Sequence, residues 1–189
     1  LSEIIGSGPS ESSYGFRCES TVPSVRHSDY EGLQPHGGPG IGPLAFNCVN
    51  GRVYSGLTRV VWELNSVDEG DGGTLFLSGS HKANFTTPKN HLALDSPLFE
   101  SYSCPSGSVV IFSESVCHAG PLWRNAERPR ISIFSCYGPS NAQYHKTNLP
   151  TQLIEEMPLK RQSLFRGVWT HDFSRSQPND YFSNENVAQ

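Results

Sequence analysis

Residues 107–137 read GSVVIFSESVCHAGPLWRNAERPRISIFSCY, and the fold turns on them. Residues 107–113 are a short apolar run of the buried-strand type, and residues 130–137 are another. Between them stands His118, just past the first run. A histidine there can point into the mouth of a barrel, where binding sites are built; a lone histidine also fits a structural or surface role. Arg130 opens the second run inside an otherwise apolar strand. A cation aimed into a barrel needs an anionic partner, because an unpaired buried charge is costly. A carboxylate-bearing ligand could take its guanidinium fork in bidentate fashion, with the Ser132 hydroxyl assisting. Side chains 130 and 132 share one face of a strand, so both reach one carboxylate. The plainer reading is an ordinary edge-strand arginine.

Working outward, the same strand-and-turn texture continues. Residues 14–21, 56–64 (GLTRVVWEL) and 73–78 (GTLFLS) have strand composition, and 68–73 (DEGDGG) is a turn cluster. Residues 32–51 are rich in Gly and Pro without periodicity and are expected as loop. Residues 1–6 look like a helix end stopped by Gly6. Residues 150–165 form the one further helical stretch, with Thr151 as cap, Leu153, Ile154 and Met157 on one face, and Pro158 breaking or kinking the run. The last fifteen or so residues are a polar tail, and no internal repeat is present. Short strands between turn signals point to a sandwich or barrel rather than a βαβ fold.

The bulk numbers agree with an ordered domain. The chain has 189 residues, 35% hydrophobic and 11% aromatic, with 18 Gly and 14 Pro, which suits one domain with a buried core. A net charge of −4 without a basic block argues against nucleic-acid binding. No apolar run approaches the length of a transmembrane helix, so no membrane partner is expected. The five cysteines (18, 48, 104, 117 and 136) lack CxxC spacing, which excludes zinc-ribbon and thioredoxin patterns and suggests free thiols in a reducing, cytoplasmic compartment. The start, Leu-Ser-Glu-Ile-Ile-Gly, lacks both an initiator Met and a signal peptide, as a fragment would.

Seven histidines (27, 36, 81, 91, 118, 145 and 171) carry most of the chemical signal. Imidazole is the commonest transition-metal side-chain ligand, and iron(II) oxygenases use two His and one carboxylate on one face. His36 lies in Pro35-His36-Gly37-Gly38-Pro39, whose glycines permit close backbone approach or unusual φ; a turn histidine is the alternative. His81 ends a strand and turns the chain, with a structural role through hydrogen bonds to loop backbone.

Taken together, these segments resemble the phytanoyl-CoA dioxygenase family of Fe(II)/2-oxoglutarate-dependent oxygenases. Residues 70–82 (GDGGTLFLSGSHK) resemble its Gly-rich turn, strand and GSHK, with Ser78 where Pro is usual. Residues 105–112, His118-Ala119-Gly120 and residues 127–132 (ERPRIS) resemble its later strand, distal iron-ligand His and 2-oxoglutarate arginine. The likeness spans roughly residues 25–140, with a weaker echo in 161–167; three pieces in one order weigh more than any one alone. It implies a mainly β fold, a double-stranded β-helix (cupin-like jelly roll) with a few peripheral helices. The whole chain, 1–189, would then be one such domain, with a core at about 14–140, a C-terminal helix and tail at 150–189, and the family's N-terminal helices lacking. The implied cofactors are Fe(II) and 2-oxoglutarate. His118 would be a metal ligand, and Arg130 with Ser132 would hold the far carboxylate of 2-oxoglutarate, with Arg128 as the alternative anchor. The implied reaction uses molecular oxygen to hydroxylate a small or medium organic molecule, releasing succinate and CO2.

The first ligand pair departs from the family pattern of His-x-Asp. His27-Ser28-Asp29 matches it by letter, whereas His36-Gly37-Gly38 matches it by position and resembles the LHGG stretch of one branch, in which an Arg-His pair, here Arg26-His27, precedes. His36 is therefore preferred to His27, and the carboxylate disappears at Gly38. Three options follow: a remote acid (Glu114 or Asp29), a halide at Gly38 as in related iron halogenases, or a site that has lost catalysis. The matching functions are an oxygenase, a halogenase and a non-catalytic cupin-like binding module. Loops 39–51 and 84–100 do not specify the substrate, and oligomeric state is open. Trp62, Trp123 and Tyr54 fit the core better than a substrate site.

Overall fold

A computed structural model of the chain describes residues 1–5, 9–38, 40, 42–83, 85–146 and 149–168. His171 and the polar tail lie outside the described residues. Among those described, ten strands form: β1 (Phe16–Arg26), β2 (Leu33–His36), β3 (Asn47–Val49), β4 (Arg52–Tyr54), β5 (Thr58–Glu63), β6 (Leu75–Leu77), β7 (Phe99–Glu100), β8 (Ser108–Ser113), β9 (His118–Gly120) and β10 (Arg130–Pro139). Eight of them build two four-stranded antiparallel sheets, a major one in the order β1-β10-β5-β8 and a minor one in the order β2-β9-β6-β7. β3 and β4 are a separate hairpin. Along the chain the eight strands pass from sheet to sheet: β1 major, β2 minor, β5 major, β6 and β7 minor, β8 major, β9 minor, β10 major. That winding is the double-stranded β-helix, the jelly-roll arrangement expected from the sequence.

Side-chain alternation decides what the barrel contains. The register sets Ser132 opposite Glu63, Phe134 opposite Val61 and Cys136 opposite Arg59; the next pairs are Glu63 with Ser108, Val61 with Val110 and Arg59 with Phe112. Arg26 pairs with Arg130 at the β1 end. The inward face of the major sheet is thus an apolar layer of Val61, Val110, Phe112 and Phe134 interrupted by charged residues of one parity. Arg130, Glu63 and Ser132 are at most 2% exposed. On the opposite face Trp62 is 46% exposed, and Trp123 is buried in the core.

Several elements differ from the sequence expectation. β1 runs on to Arg26, through Pro23. Residues 32–51, expected as loop, contain β2 and β3; these three- and four-residue strands show no alternation because they are mostly exposed. His118, expected just past a strand, opens its own strand, β9. The C-terminal helical stretch divides at Pro158 into α2 (Thr151–Glu155) and α3 (Leu159–Gln162), α1 being Ser2–Ile5. Thr151 is the first helical residue of α2 rather than its cap, which is Pro150. All five cysteines are free. No helix among the described residues is long and apolar enough to cross a membrane.

Candidate functional site

β2 and β9 are neighbours in the minor sheet, and their register sets His36 directly opposite His118. Their ring centroids are 4.1 Å apart. His118 is buried, whereas His36 stands exposed at the open edge. His118 Nδ1 lies 2.8 Å from the Val116 carbonyl and His36 Nδ1 lies 2.9 Å from the Gln34 carbonyl. A carbonyl only accepts, so each Nδ1 carries a proton, and it is Nε2 that bears the lone pair in the neutral ring. A backbone carbonyl that holds Nδ1–H fixes the ring's tautomer and the direction in which Nε2 points. Burial lowers the pKa of His118 from its ordinary 6.5, against the opposing effects of the Val116 hydrogen bond and the Glu114 carboxylate. Its neutral form is therefore favoured.

The close approach of β2 to β9 depends on Gly37. Its φ is +96°, and a Cβ there would stand 2.4 Å from the Val116 oxygen and 3.2 Å from His118 Nδ1. Only glycine fits that contact and that conformation. Gly38 differs: its φ is +122°, but a Cβ would meet nothing within 4 Å. The GSHK turn supports the pair from the other side, since Ser80 Oγ accepts the Cys117 N–H at 2.7 Å. The His81 ring packs edge-on against Phe46 at 4.6 Å.

Of the candidate acids, Glu114 is the one brought to the pair. Its Oε2 lies 3.8 Å from His118 Nε2, while its Oε1 accepts from Arg59 Nε. His27 and Asp29 are exposed in the turn after β1. Among the described residues, no group of three His, Cys, Asp or Glu side chains converges as a ready metal cage.

Arg130 is fully buried, and its fork is already engaged. Nε and Nη2 donate to Glu63 Oε2 and Oε1 at 3.1 and 2.5 Å, and Nη2 also reaches Thr74 Oγ1 and the Tyr102 hydroxyl. The anionic partner that the sequence demanded thus comes from the protein itself. Nη1 alone has no hydrogen-bond partner among the described residues. Burial, with Glu63 beside it, pushes the Tyr102 phenol up and keeps it protonated, so it donates to Glu63 at 2.6 Å. Ser132 is buried on the same strand face. Arg128 holds the turn instead, donating to Ser66, Asp68 and Asp71.

One hollow reaches the histidines and another lies beside Gly37 and Glu114. The first, of about 240 Å³, is lined by Arg26, His36, His118, Thr74, Phe112 and Phe134. The other, of about 480 Å³, is lined by Gly38, Arg59, Glu114, Cys136, Tyr144 and His145. Arg59 borders both, so its ion pair with Glu114 stands between them. The second hollow is roofed by a segment that a buried carboxylate on β1 fastens: Glu19 Oε2 accepts the Tyr144 and His145 amides at 3.0 and 2.9 Å. Burial pushes the Cys136 thiol up to about 12, which keeps it inert.

Sequence reasoning missed Arg26 as a pocket residue and also Glu63, Arg59, Thr74 and Tyr102. A signal existed for two of them: in GLTRVVWEL, residues 59 and 63 are charged and of equal parity, so one strand face carries both.

No protein-family model matches the chain, and no curated protein matches it by sequence. Among solved structures, the chain is similar to HygX from Streptomyces hygroscopicus with nickel and 2-oxoglutarate bound. The TM-score is 0.63 at 20% identity, over 75% of this chain and 60% of HygX. The iron-bound form of HygX gives 0.62 at 20% identity, over 75% and 62%. AviO1 from Streptomyces viridochromogenes Tue57 gives 0.54 at 13% identity, over 69% and 54%. At these identities the likeness is one of fold, and the chain spans about 60% of the length of HygX.

Proposed function

We propose that the protein is an Fe(II)/2-oxoglutarate-dependent oxygenase acting on a small or medium organic molecule. The observation that carries this reading is the His36–His118 pair, set across adjacent strands with both Nδ1 atoms tied to backbone carbonyls. Iron with 2-oxoglutarate, when bound, supplies the oxidising chemistry that hydroxylates a C–H bond and releases succinate and CO2. His36 and His118 offer their Nε2 lone pairs to the metal. Glu114 supplies the carboxylate from outside the usual position, its second oxygen steadied by Arg59. The 240 Å³ hollow takes the co-substrate, its far carboxylate directed towards Arg130 and Ser132, which lie buried behind the Thr74 and Phe134 lining. Phe112, 4.8 Å from the His118 ring, and Phe76, 4.9 Å from Phe112, keep water from the inner side. The 480 Å³ hollow beyond Arg59 and Glu114 takes the organic substrate. HygX, which shares this fold, has crystal forms holding iron, and nickel with 2-oxoglutarate and hygromycin B; the support is by fold analogy.

The test is an anaerobic titration of the protein with Fe(II) and 2-oxoglutarate, watched for the weak visible metal-to-ligand charge-transfer band. Its appearance in the wild type and loss in His118→Ala supports the reading. Its absence from folded, iron-supplemented protein overturns the reading in favour of a cupin-like binding module. A second reading rests on Gly38, which leaves open space where the usual carboxylate would stand. In that reading the enzyme is a halogenase with chloride at Gly38, and substrate turnover requires chloride. Chloride-independent turnover, with metal affinity lost in Glu114→Ala, favours the oxygenase.

A further inference from the structure

We propose that Arg26 is the anion-binding guanidinium of the hollow that holds His36 and His118, taking the far carboxylate of a 2-oxo diacid. The inference deepens the oxygenase reading and rests on it. Arg26 and Arg130 are register partners across β1 and β10, so both side chains enter the barrel from adjacent strands. Arg26 is 9% exposed and lines the hollow that holds His36 and His118. Its Nη1, like that of Arg130, is buried without a hydrogen-bond partner among the described residues.

The local charges do not balance. Glu63 is matched by Arg130, and Glu114 is matched by Arg59. Arg26 has around it the Tyr30 ring at 4.9 Å and the Phe134 ring at 5.9 Å, which offer π-faces but no formal charge. Burial first, and then the nearby Arg130 charge, pull its pKa down; a buried cation in that position is stabilised by an anion it can share. Of the two arginines lining the hollow, Arg59 is paired with Glu114 and Arg26 has no carboxylate partner among the described residues, which suits one ligand carboxylate.

Gly120 makes the seat. A Cβ there would stand 2.5 Å from Arg26 Nη1 and 3.1 Å from Cζ and Nη2, so the guanidinium rests on bare backbone. Gly120 is two residues after His118 and on the same strand face, about 6.6 Å along β9 at the usual rise. The anion seat is therefore offset from the histidine pair by one side-chain repeat, which selects a ligand carrying a second acid group at a distance from the first.

The test is calorimetric and needs no turnover. Ni(II)-loaded protein is titrated with 2-oxoglutarate and with 2-oxovalerate, in which a methyl replaces the far carboxylate. The wild type should prefer 2-oxoglutarate. Arg26→Gln should weaken 2-oxoglutarate binding roughly 10- to 100-fold, leave Ni(II) affinity and 2-oxovalerate binding nearly unchanged, and melt no lower than the wild type without acid. Gly120→Ala, which displaces the guanidinium without touching its charge, should erode the same preference. Undiminished 2-oxoglutarate binding in folded Arg26→Gln overturns the inference and leaves the oxygenase reading standing. Equal loss of both acids in that variant also overturns it, since the effect is then general. A Ni(II)-loaded wild type that binds neither acid overturns the oxygenase reading, and this inference with it.

Discussion

His118 is held by its surroundings in the one state that can ligate: buried, neutral and with Nε2 unencumbered. If it and His36 share a metal, His118→Ala should abolish stoichiometric Fe(II) binding in anaerobic equilibrium dialysis, and His36→Ala should weaken it severely. Retention of one tight iron by both variants would place the metal elsewhere. The lowered pKa of His118 has a second consequence. The folded state disfavours the proton that the unfolded state accepts near pH 6.5, so this stabilising contribution is complete above 6.5 and is lost as pH falls through the folded midpoint. In metal-free protein, the NMR titration of His118 should have its midpoint below 6.5. Its stabilising contribution should fade over that same interval, read as the difference in urea midpoint between wild type and His118→Phe. At this scale His118 stood out in the sequence as a histidine between two apolar runs, and Arg130 as the cation that opens the second run. Glu63 was not singled out, and Arg26 was noted only as part of the Arg-His pair, because a charge inside a strand reads as solvent-facing until the strand's parity is known.

β2 is four residues long, mostly exposed, and contains Pro35. It is a strand only because β9 pairs with it, and pairing is not a local property of sequence; this is why residues 32–51 read as loop. The two glycines after it divide the expectation of close approach or unusual φ: Gly37 has both, and Gly38 has the φ alone. Gly37→Ala forces a side chain into the left-handed region and against the Val116 oxygen, and should cost about 2 kcal/mol or more. Gly38→Ala carries the conformational strain alone, with open space around its Cβ, and should cost about 1 kcal/mol. Urea denaturation of the two variants checks the difference, and equal losses would mean that β2 yields to the intrusion.

The whole barrel encloses a polar layer, and the Glu63–Arg130 pair is its centre. With both side chains 0% exposed, deleting one partner leaves the other charge buried. Glu63→Leu should lose about 3–5 kcal/mol, and the double variant Glu63→Leu/Arg130→Met should recover much of that loss. Denaturant curves for the single and double variants decide it; a double variant no better than the single would mean that Thr74 and Tyr102 depend on the charges too. The general class, short strands in a sandwich or barrel, followed from turn spacing and strand composition. The specific winding came through resemblance: which strands share a sheet depends on contacts between residues as far apart as Arg26 and Arg130, and no local periodicity encodes that.

The two histidines belong to the minor sheet and Arg26 to the major one. A two-ended acid lying between them would act as a cross-brace, tying the walls of the barrel. Its arrival should therefore slow amide hydrogen exchange in β1 and β9 together. A one-ended acid would protect β9 alone, leaving the opposite wall to breathe as before.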